Sequence, residues 1–377
     1  MIDRYNKSEN NKADARIYSD ASIGLMICSA ILLFLFTPIL SFSQDTLVKN
    51  EVKSDTIESN IIDMSDNLDI HFYGKKKVNS FSFTNNKTQD NLFYSPNQQV
   101  NIGFGFNYKW LGIGIALNFK FINNDDDVYG NTKRLDLQMN AYGKKFVTDF
   151  TFGFYSSFYI QNSKEVLLNP KYQTEYYIRP DISSISFGVS NLYVFNHKRF
   201  SYKAAFVSTA IQKKSAGSLY VGPQFIFLGI NADSSFFPNN STFDEFPSLT
   251  LFSRISIGAL GGYAYNFIIA KQFYISTSLG MALSIGRQGY KVDGELYRLK
   301  SVPSFDILPR IAFGFNNERY YGGFSAVTKV SGFDAFKQTE NLGMVFDYSN
   351  FRFFFGKRFN VKKEPKVVKK VVEMKKE

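Results

Sequence analysis

Apolar side chains alternate with small or polar ones along most of this chain. In residues 100–119, apolar side chains occupy every second position, and Gly, Ala, Asn or Lys fill the positions between them. The phase of the alternation changes once, at Trp110-Leu111. Because successive side chains of a strand point to opposite faces, this stretch predicts two strands joined by a tight turn.

The same alternation recurs as far as Phe359 and predicts an all-β chain. We expect strands at 78–84, 98–109, 111–121, 133–142, 145–158, 181–195, 199–211, 218–229, 252–268, 272–286, 308–316, 319–330 and 350–359. One apolar face and one small or polar face on each strand is typical of a closed antiparallel transmembrane β-barrel. Because such barrels have an even number of strands, the thirteen runs predict about twelve strands, either twelve or fourteen.

The connections between these strands fall into two length classes. Short ones are expected at 108–112, 143–145, 196–199, 270–272 and 316–319, and long ones at 85–97, 122–132, 159–180, 287–307 and 331–349. Short turns face the periplasm in such barrels and long loops face outward. Segment 231–251 is long where the alternation requires a short turn, so either one strand near 205–250 is miscounted or this segment crosses the lumen.

The N-terminal part of the chain predicts export across the inner membrane by a signal peptide. An apolar run from Ile23 to Leu40 precedes Ser41 and Ser43, which suit a signal-peptidase site before Gln44; an uncleaved anchor helix is the alternative. We therefore expect a signal peptide and leader at 1–43, a periplasmic linker at 44–67, the barrel at 68–359 and a Lys-rich periplasmic tail at 360–377. The single cysteine, Cys28, leaves the mature chain without thiol chemistry.

The net charge of +11 indicates an anionic partner. For a membrane barrel, that partner is outer-membrane lipid and lipopolysaccharide rather than nucleic acid, because basic groups are attracted to an anionic membrane surface. Lys213 and Lys214 are predicted at an outer rim, where they would contact lipopolysaccharide phosphates.

Six charged residues are predicted to point into the lumen, where they would either pair with one another or line an ion-selective path. They are Arg134, Asp136, Lys203, Arg254, Arg310 and Arg352.

The sequence gives little support for catalysis or for metal and cofactor binding. His71 and His197 are the only histidines, and both are expected outside the strand positions from which a lipid ester is reached. Asp125, Asp126 and Asp127 lie together but lack the spacing of a calcium loop, so a solvated loop is favoured over a metal site. We therefore predict no enzyme activity, no cofactor and no metal.

Several stretches resemble one particular family. They are NIGFGFNYKWLGIGIALNF (101–119), DDVYGNTKRLDLQ (126–138), IRPDIS (178–183), FNHKRFSYKAAF (195–206) and QKKSAGS (212–218). They are similar to the Bacteroidota outer-membrane β-barrel family classed as domain of unknown function 4421, over roughly residues 65–359. The resemblance implies a barrel in the outer membrane of a Gram-negative cell envelope and transfers no activity, substrate or site residue.

The last strand, ending at Phe359, resembles the signal by which the barrel-assembly machinery takes up outer-membrane barrels, although this chain continues to Glu377. The sequence thus predicts an integral outer-membrane barrel acting as a narrow channel or as a surface or scaffold component. A lipid- or lipopolysaccharide-modifying enzyme and an adhesion or assembly factor acting through loops or tail remain the alternatives.

Overall fold

The structure, a computed structural model, describes residues 60–109, 111–119, 122–334 and 341–360. The predicted signal peptide, most of the predicted linker and all but the first residue of the Lys-rich tail therefore lie outside the described residues. The described residues contain fifteen strands: β1 Ile61–Asp63, β2 Leu68–Asn85, β3 Asn91–Ser95, β4 Val100–Tyr108, β5 Leu111–Asn118, β6 Lys133–Tyr142, β7 Phe146–Ile160, β8 Tyr177–Val194, β9 Ala210–Gln212, β10 Ala216–Asn231, β11 Leu249–Ile269, β12 Phe273–Val292, β13 Glu295–Asn316, β14 Tyr320–Asp334 and β15 Leu342–Phe359.

Antiparallel ladders join these strands into a closed ring. The ring runs β2-β3-β7-β8-β10-β11-β12-β13-β14-β15, and a ladder from Phe359↔Leu68 to Leu342↔Asn85 joins β15 back to β2. The prediction of an all-β closed antiparallel barrel is confirmed. Within the described residues the closed ring has ten strands, so the predicted count of twelve or fourteen is not confirmed.

The wall between β2 and β7 is built differently at its two ends. At one end β3 pairs with β2 at Phe81–Thr84 and with β7 at Tyr159 and Ile160. Toward the other end β4 pairs with β2 along 69–76, β5 pairs with β4, and β6 pairs with β7. No ladder joins β5 to β6 in the described part of the chain. We call the line between these two strands the seam.

Alternation along the strands separates an apolar outside from a polar inside. In β12 every second side chain from Phe273 to Ile285 is exposed, whereas the side chains between them are buried. Leu283 is 71% exposed and its neighbour Ser284 only 6%. Exposed large apolar residues recur on the outward faces of β4, β5, β6, β11 and β13. A surface this continuously apolar requires an apolar environment.

The two ends of the barrel differ in their connections. One end, which we call the turn end, carries the short connections 109–110, 143–145, 270–272 and 317–319. The opposite end, the loop end, carries segments 161–176 and 232–248 and the two-residue turn Asp293-Gly294. Segment 161–176 includes a short helix, Ser163–Val166, and a 3₁₀ turn, Pro170–Gln173. None of the helices in the described ranges is long and apolar enough to cross a membrane.

The predicted strand at 199–211 is wrong. This segment contains a π-helical turn, Lys203–Val207, followed by β9, which pairs with β1 rather than with the ring. Phe200, Tyr202 and Phe206 do alternate with other residues, but they are buried against the inside of the barrel instead of facing outward. Residues 61–63, which the sequence analysis assigns to the linker, are the strand β1.

When 199–211 is no longer counted as a membrane-crossing strand, segment 231–251 is no longer a long connection at the end where a short turn is expected. The segment joins β10 to β11 at the loop end, where a long connection is expected, and it folds inward. The predicted long loop at 287–307 is also wrong, because β12 and β13 continue to a tight hairpin. Asp293 and Gly294 both have positive φ, at 48° and 86°, as a type I′ hairpin turn requires.

Candidate functional site

The candidate site is the lumen, and side chains from β2, β3, β7 and segment 232–248 fill its loop end. Phe81 stacks on Tyr94 at a ring-centroid distance of 4.9 Å, and Phe83 lies 5.5 Å from Phe236. The hydroxyl of Tyr94 donates a hydrogen bond to the carbonyl of Phe236. Phe83, Phe236 and Phe243 are completely buried. We call this group the loop-end cluster: Phe81, Phe83, Tyr94, Phe158, Phe236, Phe237 and Phe243.

A salt bridge fastens segment 232–248 to the barrel wall. Arg179 donates two hydrogen bonds of 2.8 Å to the carboxylate of Asp181, one from Nε and one from a terminal nitrogen. Arg179 also donates to the Ser235 carbonyl, and Asp181 accepts from the Ser234 backbone and hydroxyl. The hydrogen bonds from Arg179 hold the pKa of the Asp181 carboxyl well below its usual value. The inward position of the segment is therefore held by charge as well as by packing.

Paired charges occupy the middle of the lumen. Arg310 donates to Asp149 at 2.7 Å and to the hydroxyl of Tyr142 at 3.2 Å. Lys329 lies 3.7 Å from Asp306, and its ammonium donates to Gln224 at 3.0 Å. Because a charge inside a membrane is stable only when it is paired or solvated, such pairs explain how the lumen accommodates these groups.

A third pair reaches across the lumen from β2 to β6. The ammonium of Lys77 contacts Asp136, and the hydroxyl of Tyr155 donates to the same carboxylate. Beside Lys77, the side chain of Lys75 also points inward, and Lys75 is the register partner of Arg352. The guanidinium of Arg352 lies 5.0 Å from the ring centroid of Tyr73 and 5.1 Å from that of Phe354.

A folded segment lies inside the turn end. The backbone of residues 200–212 accepts hydrogen bonds from ring strands: Asn266 donates to the Ser201 carbonyl at 3.1 Å, and Asn316 donates to the carbonyls of Ala204 and Ala210 at 2.9 Å. Arg358 donates to the Ser208 carbonyl. We call residues 200–212 the plug. A small cavity beside it, lined by Gln212, Tyr274 and Asn316 among others, has about 10 Å³ of room for water centres, about that of one molecule.

The six residues predicted to line the lumen lie on inward positions or on the plug. Arg134, Asp136, Arg254, Arg310 and Arg352 project from ring or seam strands into the barrel interior, and Lys203 belongs to the plug, 3.9 Å from Asp63. Arg254 donates to the Val302 carbonyl and the Ser304 hydroxyl, each at 2.9 Å. Whether they line an ion path stays a prediction.

Lys213 and Lys214 lie at the turn end, immediately before β10. The sequence analysis places them at an outer rim because it counts 199–211 as a membrane-crossing strand. Since 199–211 forms the plug instead, the chain stays at the turn end between the end of β8 and the start of β10. The lipopolysaccharide contact itself stays a prediction.

Lys75 and Lys77 were not among the predicted lumen residues, although both side chains point inward. His71 lies in β2, is 6% exposed, and its Nδ1 is 3.4 Å from Asp69. His197 lies in the turn after β8, with its Nδ1 3.2 Å from the carbonyl oxygen of Val194. The inward position of the two lysines could have been predicted from the alternation of Tyr73, Lys75 and Lys77, but Lys76 between them obscured the pattern.

Asp125 and Asp126 accept hydrogen bonds from the Asn97 amide at 3.0 and 3.1 Å. Together these contacts fix the short helix Asp126–Tyr129 next to the start of β4. The described ranges contain no group of three or more His, Cys, Asp or Glu side chains arranged to hold a metal ion.

Comparison with solved structures finds other membrane barrels. The outer-membrane protease OmpT from Escherichia coli is 7% identical with a TM-score of 0.35, and the alignment covers 79% of this chain and 98% of that one. OprG from Pseudomonas aeruginosa is 7% identical with a TM-score of 0.21, covering 79% and 99%. The toluene transporter TodX from Pseudomonas putida is 10% identical with a TM-score of 0.17, covering 78% and 91%.

The likeness to OmpT contradicts the prediction that this chain is not an enzyme, because one of the barrels it resembles is a protease. That prediction is withdrawn. At 7% identity and a TM-score of 0.35, the likeness assigns no activity either.

A search of curated proteins finds no match. A family model does match, over residues 53–359, and confirms the family that the sequence motifs resemble; the bacterial group that the resemblance implies stays a prediction. The chain therefore belongs to the family described as "Domain of unknown function (DUF4421)".

Proposed function

We propose that this protein is an integral outer-membrane barrel whose lumen is closed at rest and which acts at the cell surface through its loop end. The observation that carries the proposal is the occupation of both ends of the lumen by the chain itself. Phe236 and Phe243 are fully buried inside the loop end, and Phe200 and Tyr202 are buried inside the turn end.

The apolar band on the outward faces supports a membrane location. On β12 it runs from Phe273 to Ile285, beyond which the outward side chains are Arg287, Gly289 and Lys291. Twelve steps of about 3.3 Å, tilted by about 40°, span about 30 Å, which is the thickness of a bilayer's hydrocarbon core. With short turns facing the periplasm, the loop end faces outward.

The strand lengths support a surface role. β11, β12 and β13 have 21, 20 and 22 residues, whereas about 9–11 residues cross a bilayer. The surplus lies at the loop end, where the loop-end cluster gives it an apolar core of its own. A folded head held rigidly above the membrane suits contact with a partner at the surface better than an open pore does.

The closing ladder supports assembly through the last strand. β15 pairs with β2 along its whole length, and Phe359 is opposite Leu68. Uptake of this strand by the barrel-assembly machinery is part of the proposal.

Planar-bilayer recording tests the closed lumen. The purified mature protein is inserted into bilayers, and insertion is verified by protection of the barrel from protease. We expect no steady conductance at moderate voltage. A steady, voltage-independent current from inserted protein would contradict the proposal and favour the narrow channel that the sequence leaves open.

A further inference from the structure

We propose that the seam between β5 and β6 admits the anionic headgroup of a membrane phospholipid to a basic site inside the barrel. The site is the basic lumen cluster of Lys75, Lys77, Arg134 and Arg352. This inference rests on the proposed membrane location and adds a ligand that the proposed function does not require.

The seam is a place where the wall lacks hydrogen bonds. β5 pairs with β4 and β6 pairs with β7, and neither pairs with the other in the described ranges. Backbone groups left unpaired in hydrocarbon are costly, and open sheet edges do not normally face lipid. An opening between these edges, lined on the inside by polar groups, is the arrangement in which such edges are tolerated.

The seam is apolar on its outer flanks, and on its inner side β5 is small whereas β6 carries the polar side chains of Asp136, Gln138 and Asn140. Ile113, Ile115 and Leu117 of β5 and Leu135, Leu137 and Met139 of β6 are all exposed on the outer face, between 45% and 53%. On the inner side, Gly114 of β5 is exposed, and a Cβ there would lie 2.9 Å from the Tyr73 hydroxyl. An acyl chain can therefore lie against the flanks while a headgroup passes between Gly114 of β5 and the inward polar side chains of β6.

The cluster brings four cations together, and among the described residues only Asp136 lies within ion-pair distance of any of them. Lys77 is paired with Asp136. Lys75 and Arg352 contact aromatic rings, and neither has a carboxylate within ion-pair distance among the described residues. The Nε of Arg352 is buried without a hydrogen-bond partner in that same set. Because enclosed charges require a counter-charge, the expected occupant is an anion, and phosphate accepts well from Arg and Lys.

Arg134 ties the seam at its loop end. Its guanidinium donates to the side chains of Gln99 and Asn101, at 3.1 and 3.2 Å, across to the start of β4. Farther down β6, Asn140 points inward and is exposed. The seam is thus fastened above the cluster and accessible below it, as entry from the bilayer requires.

The test measures binding of dioleoyl phosphatidylglycerol to the delipidated mature protein in detergent by native mass spectrometry. The variants are Lys75→Gln and Arg352→Gln. The matched control is Lys76→Gln, at the residue that follows Lys75, whose side chain points outward. Dioleoyl phosphatidylcholine tests the charge requirement, and glycerol 3-phosphate and inorganic phosphate test whether an acyl chain is needed.

We expect one phosphatidylglycerol to bind. Each inward variant should weaken lipid binding at least about ten-fold, which corresponds to the loss of one charge-assisted hydrogen bond. The control should bind normally, and neither soluble phosphate should displace the lipid. Equal binding of phosphatidylcholine, equal loss in Lys76→Gln, or displacement by soluble phosphate would overturn the inference, the last by identifying a soluble anion as the ligand.

The same samples are checked for heat-modifiable gel mobility and for conductance. Because the inward variants remove cations without a carboxylate partner, we expect their folded mobility to persist. If a variant is folded and non-conducting but no longer binds the lipid, the result concerns the proposed lipid site and leaves the closed lumen untouched. If the wild type binds the lipid but conducts, the result contradicts the closed lumen and leaves the lipid site untouched.

Discussion

Single side chains hold the inward segment 232–248 against the barrel wall, and Asp181 is the clearest example. Its carboxylate joins Arg179 on β8 to Ser234 of the inward segment. Since Arg179 is itself buried, loss of the carboxylate would leave an enclosed cation without its partner.

We expect Asp181→Asn to lower the free energy of unfolding at neutral pH by about 1.5–3 kcal/mol, the range for hydrogen bonds to charged groups. The pKa of Asp181 is lowered in the folded state, so its stabilising effect is complete above about pH 5 and is lost as the pH falls through the folded-state pKa. The unfolding midpoints of the wild type and of Asp181→Asn, measured at several pH values, should therefore converge in acid. The exposed Asp233→Asn serves as the control, and a gap that persists at low pH would refute this explanation.

Phe236 tests the packing of the loop-end cluster. Replacing this fully buried ring by Ala should cost about 3–5 kcal/mol, because a large cavity is left behind. The control is Leu168→Ala at the same end, where the side chain is 68% exposed and little change is expected. Denaturant titration of the folded barrel measures both, and equal, small losses would show that segment 232–248 does not pack inside.

At the residue scale, the sequence predicted which side chains point into the barrel better than it predicted the residues that they contact there. Strict alternation places Arg134, Asp136 and Arg352 on inward positions. The run Lys75-Lys76-Lys77 hid the alternation because all three positions carry the same residue. That Lys77 would meet Asp136 on β6 could not be inferred, because the contact depends on how the lumen is spanned.

At the scale of elements, alternation does not say what covers an apolar face. Residues 199–211 alternate as a lipid-facing strand does, yet Phe200, Tyr202 and Phe206 are covered by the barrel's own interior. The strand β12 shows the same pattern and faces outward. In the sequence, only the alternation of short and long connections distinguished this segment from a lipid-facing strand, because it left the long segment 231–251 where a short turn was required. The hairpin at Asp293-Gly294 could have been predicted, since Asp-Gly is a strong hairpin signal.

We expect replacement of residues 201–211 by a Gly-Ser linker of equal length to weaken the closure at the turn end. The hydrogen bonds from Asn266, Asn316 and Arg358 to this segment would be lost, so brief openings should appear in bilayer recordings. An equivalent replacement of 168–175, in an exposed loop, is the control. Silent recordings from a correctly folded plug variant would show that the loop-end cluster alone seals the lumen.

At the scale of the whole molecule, the closed ring and its apolar exterior depend on each other. The ladders of the wall satisfy most backbone hydrogen bonds of its strands, which allows the wall, apart from the seam, to lie in hydrocarbon. The sequence predicted this architecture because a lipid-facing strand must be apolar at every second position. It could not predict that β3 closes the ring at one end while β4, β5 and β6 complete the wall at the other, since that depends on which edge of β2 each strand pairs with.

Quenching of tryptophan fluorescence by lipids with brominated acyl chains tests directly whether hydrocarbon covers the outward face. In a Trp110→Phe background, Leu283→Trp places a single tryptophan within the apolar band, and Glu295→Trp places one at the exposed hairpin. We predict strong quenching at position 283 and little at 295. Equal, weak quenching at both positions, with the barrel folded, would contradict the account.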